Sequence, residues 1–145
     1  MKFFFDTSVL IPVFLGTHAH HKASLETFVK ADRRHSCCGA HSVAEVYSTL
    51  TRLPGNHRLS AEQALLFVAA IRERLTLIAL DADEYAATIE EAASAGIVGG
   101  MIYDLLLARC ALKARAEVLY TWNVKHFQQF GPDVARRVRM PASIT

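Results

Sequence analysis

Apolar and polar positions along this chain switch repeatedly between short continuous runs and a helical period, which marks a succession of brief strands and longer helices. The first stretch, Lys2-Phe3-Phe4-Phe5-Asp6-Thr7-Ser8-Val9-Leu10, is an apolar run that ends abruptly in an acid and two hydroxyls before apolar positions resume. So short a run reads as a strand buried on both faces that delivers a carboxylate at its C-terminal tip. Ser8 to Leu15 follows as a short helix stopped by Gly16, with Pro12 tolerable only in its first turn. Lys22 to Ala31 carries Leu25, Phe28 and Val29 at helical spacing, and His35 to Gly39 predicts a second, weakly marked strand.

Ser42-Val43-Ala44-Glu45 has the form of a capping box opening a helix to about Arg52, and Pro54-Gly55-Asn56 breaks the chain. Ser60 and Gln63 form a second capping box, starting a helix to Glu73, and Leu75 to Leu80 predicts a strand. Asp81 to Ala95 is a helix with Asp81 as its N-cap and Gly96 as its stop. Met101 to Ala116 is an apolar-rich helix, Glu117 to Trp122 a strand, and Val138 to Met140 a marginal last one. Strands alternating with helices, with no hairpin signals between them, pair in parallel through crossovers. The expected fold is a three-layer α/β/α sandwich around a mainly parallel sheet of four to five strands, one domain over residues 1–145.

Composition narrows the function classes. The chain is 52% hydrophobic, yet no apolar run approaches the roughly 18 residues that span a bilayer, so surplus apolar surface is expected to meet another protein chain. A net charge of +2 is far from that of a dedicated nucleic-acid coat or a membrane-surface protein. Three cysteines, two of them adjacent and none in a C-x-x-C pair, support neither a disulfide framework nor a zinc ribbon. The first strand begins beside Met1, which leaves no segment for a leader and predicts a cytoplasmic protein.

In a parallel sheet the strand tips and the starts of the following helices share one edge. Asp6, Glu45, Asp104 and Asn123 all fall at such places. Each has an ordinary role available to it: Asp6 as a helix cap, Glu45 in its capping box, Asp104 at a positive helix end, Asn123 in a turn. Taken together they mean more, because carboxylates about 5 Å apart repel by roughly 3 kcal/mol per pair at an effective dielectric near 20. A cation removes that cost, and an all-oxygen ligand set selects Mg²⁺ or Mn²⁺. Such a site suits phosphodiester hydrolysis.

Four segments then resemble the motifs of PIN-domain nucleases. They are Phe3-Phe4-Phe5-Asp6-Thr7-Ser8-Val9-Leu10, Ser42 to Arg52 around Glu45, Tyr103-Asp104-Leu105-Leu106-Leu107-Ala108, and Leu119 to Phe127 around Thr121 and Asn123. Their order and spacing are similar to those of the VapC-like toxins of toxin–antitoxin pairs, from the N-terminus to about Phe130. The resemblance implies a PIN-like fold and an endoribonuclease dependent on Mg²⁺ or Mn²⁺, with Asp6, Glu45 and Asp104 at the acidic metal-binding positions. Thr7 or Thr121 would support them with a hydroxyl. Asn123 stands where many members carry a fourth acid, which puts a tightly held second metal in doubt. The resemblance further implies an RNA substrate, a cognate antitoxin protein and a homodimer.

The helical pair Tyr47 to Phe67 has more apolar positions than one core face needs, which predicts a groove for such a partner. Arg52 and Arg109 are the cations expected nearest the site, while His18, His20 and His21 read as a solvated loop. Two other readings stay open: a non-catalytic PIN-like module that binds RNA or protein, and an aspartyl-phosphate phosphatase using Asp6 as nucleophile. Ser8 stands where the latter wants a second acid.

Overall fold

The chain places its first apolar run at the centre of a sheet. A computed structural model describes residues 1–142. Strand β1, Phe3–Phe5, is followed by helices α1, Thr7–Val13, and α2, His21–Val29, then by β2, Ser36–Gly39, and α3, Ala40–Thr51. A short 3₁₀ turn at Gly55–His57 leads into α4, Ala61–Arg74, then β3, Thr76–Ile78, and α5, Ala82–Ala95. Helix α6, Met101–Lys113, β4, Val118–Tyr120, α7, Val124–Gln128, α8, Pro132–Ala135, and β5, Val138–Arg139, complete it. The sheet order is β3-β2-β1-β4-β5, and every pairing is parallel. The expected three-layer α/β fold is the observed one.

Side-chain alternation along β1 explains why its run is apolar throughout. Phe4 packs with Leu105, Leu107 and Ala108 of α6, with Leu119 of β4 and with Phe127 of α7. Phe5 points the other way, into Val9, Leu10, Phe28, Val46 and Leu50 of α1, α2 and α3. The adjacent cysteines repeat the pattern, Cys37 joining the first core and Cys38 the second. Both are free and fully buried, and burial pushes their thiols upward, that of Cys37 to about 12, so they stay protonated as small apolar fillers. Gly39, at the end of β2, is where α6 comes closest: a Cβ there would lie 2.5 Å from Leu107 Cδ2.

Three local expectations change. Pro12 lies near the end of α1 and not in its first turn, and the helix accordingly stops at Val13, with Phe14 and Leu15 amides turning back to the Ile11 and Pro12 carbonyls. Helix α3 begins at Ala40 with Gly39 at its N-cap, so Ser42 lies inside it and makes no capping box with Glu45. The Ser60–Gln63 box does form, as does one between Asp81 and Glu84, and Gly96 stops α5 at φ 71°. Helices α7 and α8 have no counterpart in the hydrophobic pattern, being too short for a helical period to register. Among the described residues no helix is long and apolar enough to cross a membrane.

Candidate active site

Asp6 sits at the tip of β1, its amide still in the ladder and bonded to the Tyr120 carbonyl at 2.9 Å. It occupies the N-cap position of α1, yet its side chain makes no capping bond. Oδ2 instead accepts from Ser8 Oγ at 2.7 Å and from Thr121 Oγ1 at 2.8 Å. Both hydroxyls are aimed by backbone: the Trp122 amide donates to Ser8 Oγ and the Asn123 amide to Thr121 Oγ1, each at 2.9 Å. With their lone pairs so engaged, the two O–H groups are turned onto the carboxylate. The turn after β4 therefore fixes Asp6 from the adjacent strand.

This carboxyl is only 1% exposed. Burial lifts its pKa to about 6, against the opposing pull of the Ser8 and Thr121 hydroxyls and with a further push from the charge of Asp104. Asp104, in the first turn of α6, is thus close enough to register electrostatically at Asp6. Its Oδ2 lies 3.0 Å from His126 Nδ1, on the short helix α7.

Glu45 reaches the same edge from α3. Thr7 Oγ1 is within donating distance of both Glu45 Oε1, at 3.0 Å, and Ser42 Oγ, at 2.8 Å, so the residue after Asp6 holds the second carboxylate. His41 Nε2 approaches Glu45 Oε1 at 3.8 Å. Glu45, Arg52 and Tyr103 line a cleft of about 460 Å³ with His41, Ala44, Ser48 and Thr49. Asn123 is exposed, and its backbone rather than its side chain supports Asp6, through Thr121.

Asp104 is near enough for its charge to be felt at Asp6, and Thr7, the residue after Asp6, bonds Glu45. Among the described residues no three His, Cys, Asp or Glu side chains are gathered closely enough to hold an ion by themselves. The donor chemistry still suits a hard cation: Mg²⁺ is commonly held by one or two carboxylates, with waters and substrate phosphate as its other ligands. A buried carboxyl that feels the charge of a second carboxylate is stabilised by a divalent ion. Arg109 does not belong here, since it pairs with Glu91 of α5 on the outer side of α6.

Sequence patterns missed Ser8, because a hydroxyl next to an acid is ordinary in any helix start and only the folded turn shows its partner. The histidine loop is solvated as expected at His18 and His20, but its residues are not free of partners. His21 Nδ1 lies 2.8 Å from the Pro12 carbonyl, and the His20 ring stacks on Trp122.

Comparison with known proteins agrees with this geometry. The PIN domain family model matches residues 3–130. Ribonuclease VapC40 of Mycobacterium tuberculosis (strain CDC 1551 / Oshkosh) is 36% identical over 114 residues, covering 79% of this chain and 81% of that protein. Among solved structures, M. tuberculosis VapC20, described as a Sarcin-Ricin loop cleaving toxin, superposes with a TM-score of 0.69 at 16% identity, over 86% of this chain and 92% of that one. VapBC2 from Rickettsia felis, bound to a DNA fragment from its promoter, does so with 0.66 at 20% identity, over 97% and 98%. With the family match running through all four acid- and Asn-bearing segments and a ribonuclease VapC relative 36% identical over most of both chains, one assignment is left: this protein belongs to the PIN-domain family, in its VapC group.

Proposed function

We propose that this single-domain protein is an endoribonuclease dependent on Mg²⁺ or Mn²⁺, the cytoplasmic toxin of a VapBC-type toxin–antitoxin pair. The observation that carries the reading is the buried Asp6 carboxyl, held by two oriented hydroxyls and pressed by the charge of Asp104. Ribonuclease is also the name borne by a relative that aligns with most of the chain. Asp6 and Asp104 would hold the divalent ion, whose chemistry there would be a bound water of lowered pKa and offset of charge on the scissile phosphate.

The chain's own residues do the rest. Ser8 and Thr121 keep Asp6 Oδ2 in one orientation, and Thr7 holds Glu45 where it can orient or deprotonate the attacking water. Asn123 keeps Thr121 in place through its amide and offers an uncharged carbonyl at the site's edge. The phosphatase reading lacks its second carboxylate, since Ser8 stands two residues after Asp6 and donates to it instead.

An antitoxin segment is the partner we assign to the face of α3 and α4. There Tyr47, Leu65 and Leu66 are 41%, 63% and 69% exposed while Leu50 and Ala64 face the core. The chain is further proposed to act as a homodimer.

Cellular RNA incubated with the protein and Mg²⁺ or Mn²⁺ is expected to give discrete cut sites, mapped as new 5′ ends, that vanish when the ion is chelated. Cuts that persist in chelator would overturn the metal-dependent reading.

A further inference from the structure

Two stacked ring pairs flank the carboxylates. On one side His41 of α3 and Tyr103 of α6 lie with centroids 5.4 Å apart and planes 9° from parallel. On the other, His20 and Trp122 lie 3.8 Å apart at 8°. The sheet order settles their placement. His41 follows β2 and Trp122 follows β4, and these strands are the two neighbours of β1, whose tip carries Asp6. The pairs therefore stand on opposite sides of Asp6, at strand tips about 10 Å apart.

In each pair one ring lies outside the core, while Trp122 packs against the cluster around Phe5 and Phe28. Tyr103 is 50% exposed, and His20 is exposed as well. Trp122 is the anchored member of its pair, its Nε1–H donating to buried Ser24 Oγ at 2.9 Å. Each pair also borders a cleft that contains a cation. Arg52 lines the first, with Tyr103 and His41, and Lys125 lines the second, of about 370 Å³, with Trp122, Asn123 and His126. A flat ring beside a positive charge, on each side of a phosphate-cleaving centre, is the arrangement that unpaired nucleotides need, since base and backbone are recognised by different groups.

We propose that the His41–Tyr103 and His20–Trp122 pairs receive the nucleobases on either side of the scissile phosphate. The substrate is then an unpaired RNA segment whose two bases splay apart over Asp6 and Asp104. Stacking selects single strands over duplex, because paired bases cannot present their faces to the two platforms. This rests on the ribonuclease reading and names the rings that would hold the two bases.

The chain's one tryptophan makes the test direct. The Asp104→Asn protein, expected to cut too slowly to consume RNA during a titration, is titrated with a short mixed-sequence single-stranded RNA, with a duplex of the same sequence, and with the same backbone made abasic. The single strand is expected to change Trp122 emission on binding, and the abasic backbone and duplex to bind about tenfold more weakly or worse, with no such change. Adding Tyr103→Ala should weaken single-strand binding by a similar factor, while Tyr103→Phe should retain it, melting temperatures confirming that both fold.

Equal affinity for the abasic backbone, or Tyr103→Ala binding as tightly as its parent, would overturn the stacking proposal. It would leave the ribonuclease reading intact if the unsubstituted protein still cuts. Failure of the unsubstituted protein to cut or bind any RNA in Mn²⁺ would instead strike the ribonuclease reading, and this proposal with it.

Discussion

Asp104→Asn protein is expected to cut RNA at least a hundredfold more slowly than its parent in saturating Mg²⁺ or Mn²⁺, with its fold unchanged. Asp104 is the only group whose charge presses on Asp6 among the causes of that carboxyl's raised pKa, so it is the natural second arm of the site. Removing a preorganised electrostatic group from a reacting centre commonly costs about 10² to 10³ in rate. The fold should be spared, because the side chain is partly exposed and asparagine can still accept a bond from His126. Relief of its repulsion with Asp6 would, if anything, stabilise the ion-free protein. Single-turnover cleavage of a mapped RNA site, alongside thermal melting, measures both effects. Cleavage at the parental rate by a well-folded variant would exclude Asp104 from the chemistry.

Asp6→Asn should lose activity too, but its larger diagnostic effect is on stability in the absence of ions. The native carboxyl titrates near 6, whereas the unfolded one titrates near its ordinary 3.8. The unfolded state therefore gives up its proton first as pH rises. Asp6 accordingly supports the fold fully below about pH 4, and that support is lost as the pH climbs through about 6. The whole loss is on the order of 3 kcal/mol. Asparagine removes the titration while its carbonyl still accepts from Ser8 and Thr121.

In chelator at pH 7.5 the variant is expected to melt roughly 5–10 °C above its parent, the gap closing toward pH 4. Adding Mg²⁺ or Mn²⁺ should raise the parent's melting temperature and leave the variant's nearly unchanged. A variant less stable than its parent at pH 7.5 would show that Asp6 is held as a structural anion.

What the linear chain revealed about this site depends on how local each signal was. The Phe3–Phe5 run and the sudden polarity at Asp6 are adjacent in sequence, and a buried central strand has no other way to look. Asp104 was legible because an acid stands at the head of an otherwise apolar helix. Ser42 was misread because the capping pattern is met equally well two residues inside a helix, where the serine instead faces Thr7 across the core. Arg109 was misplaced because five residues along α6 turn its side chain toward Glu91. The ring pairs could not be anticipated at all, since His20 meets Trp122 and His41 meets Tyr103 only once the sheet has set its strand order.

Direct binding of Mn²⁺, followed by electron paramagnetic resonance or calorimetry on the parent, Asp6→Asn and Asp104→Asn proteins at pH 7.5, addresses the pairing of these two carboxylates without reference to any RNA. A parental site that weakens at least tenfold in each variant, and weakens in the parent as the pH falls below 6 and Asp6 takes up its proton, is the result expected. Equal Mn²⁺ affinity in all three proteins, unaffected by pH across that range, would contradict it.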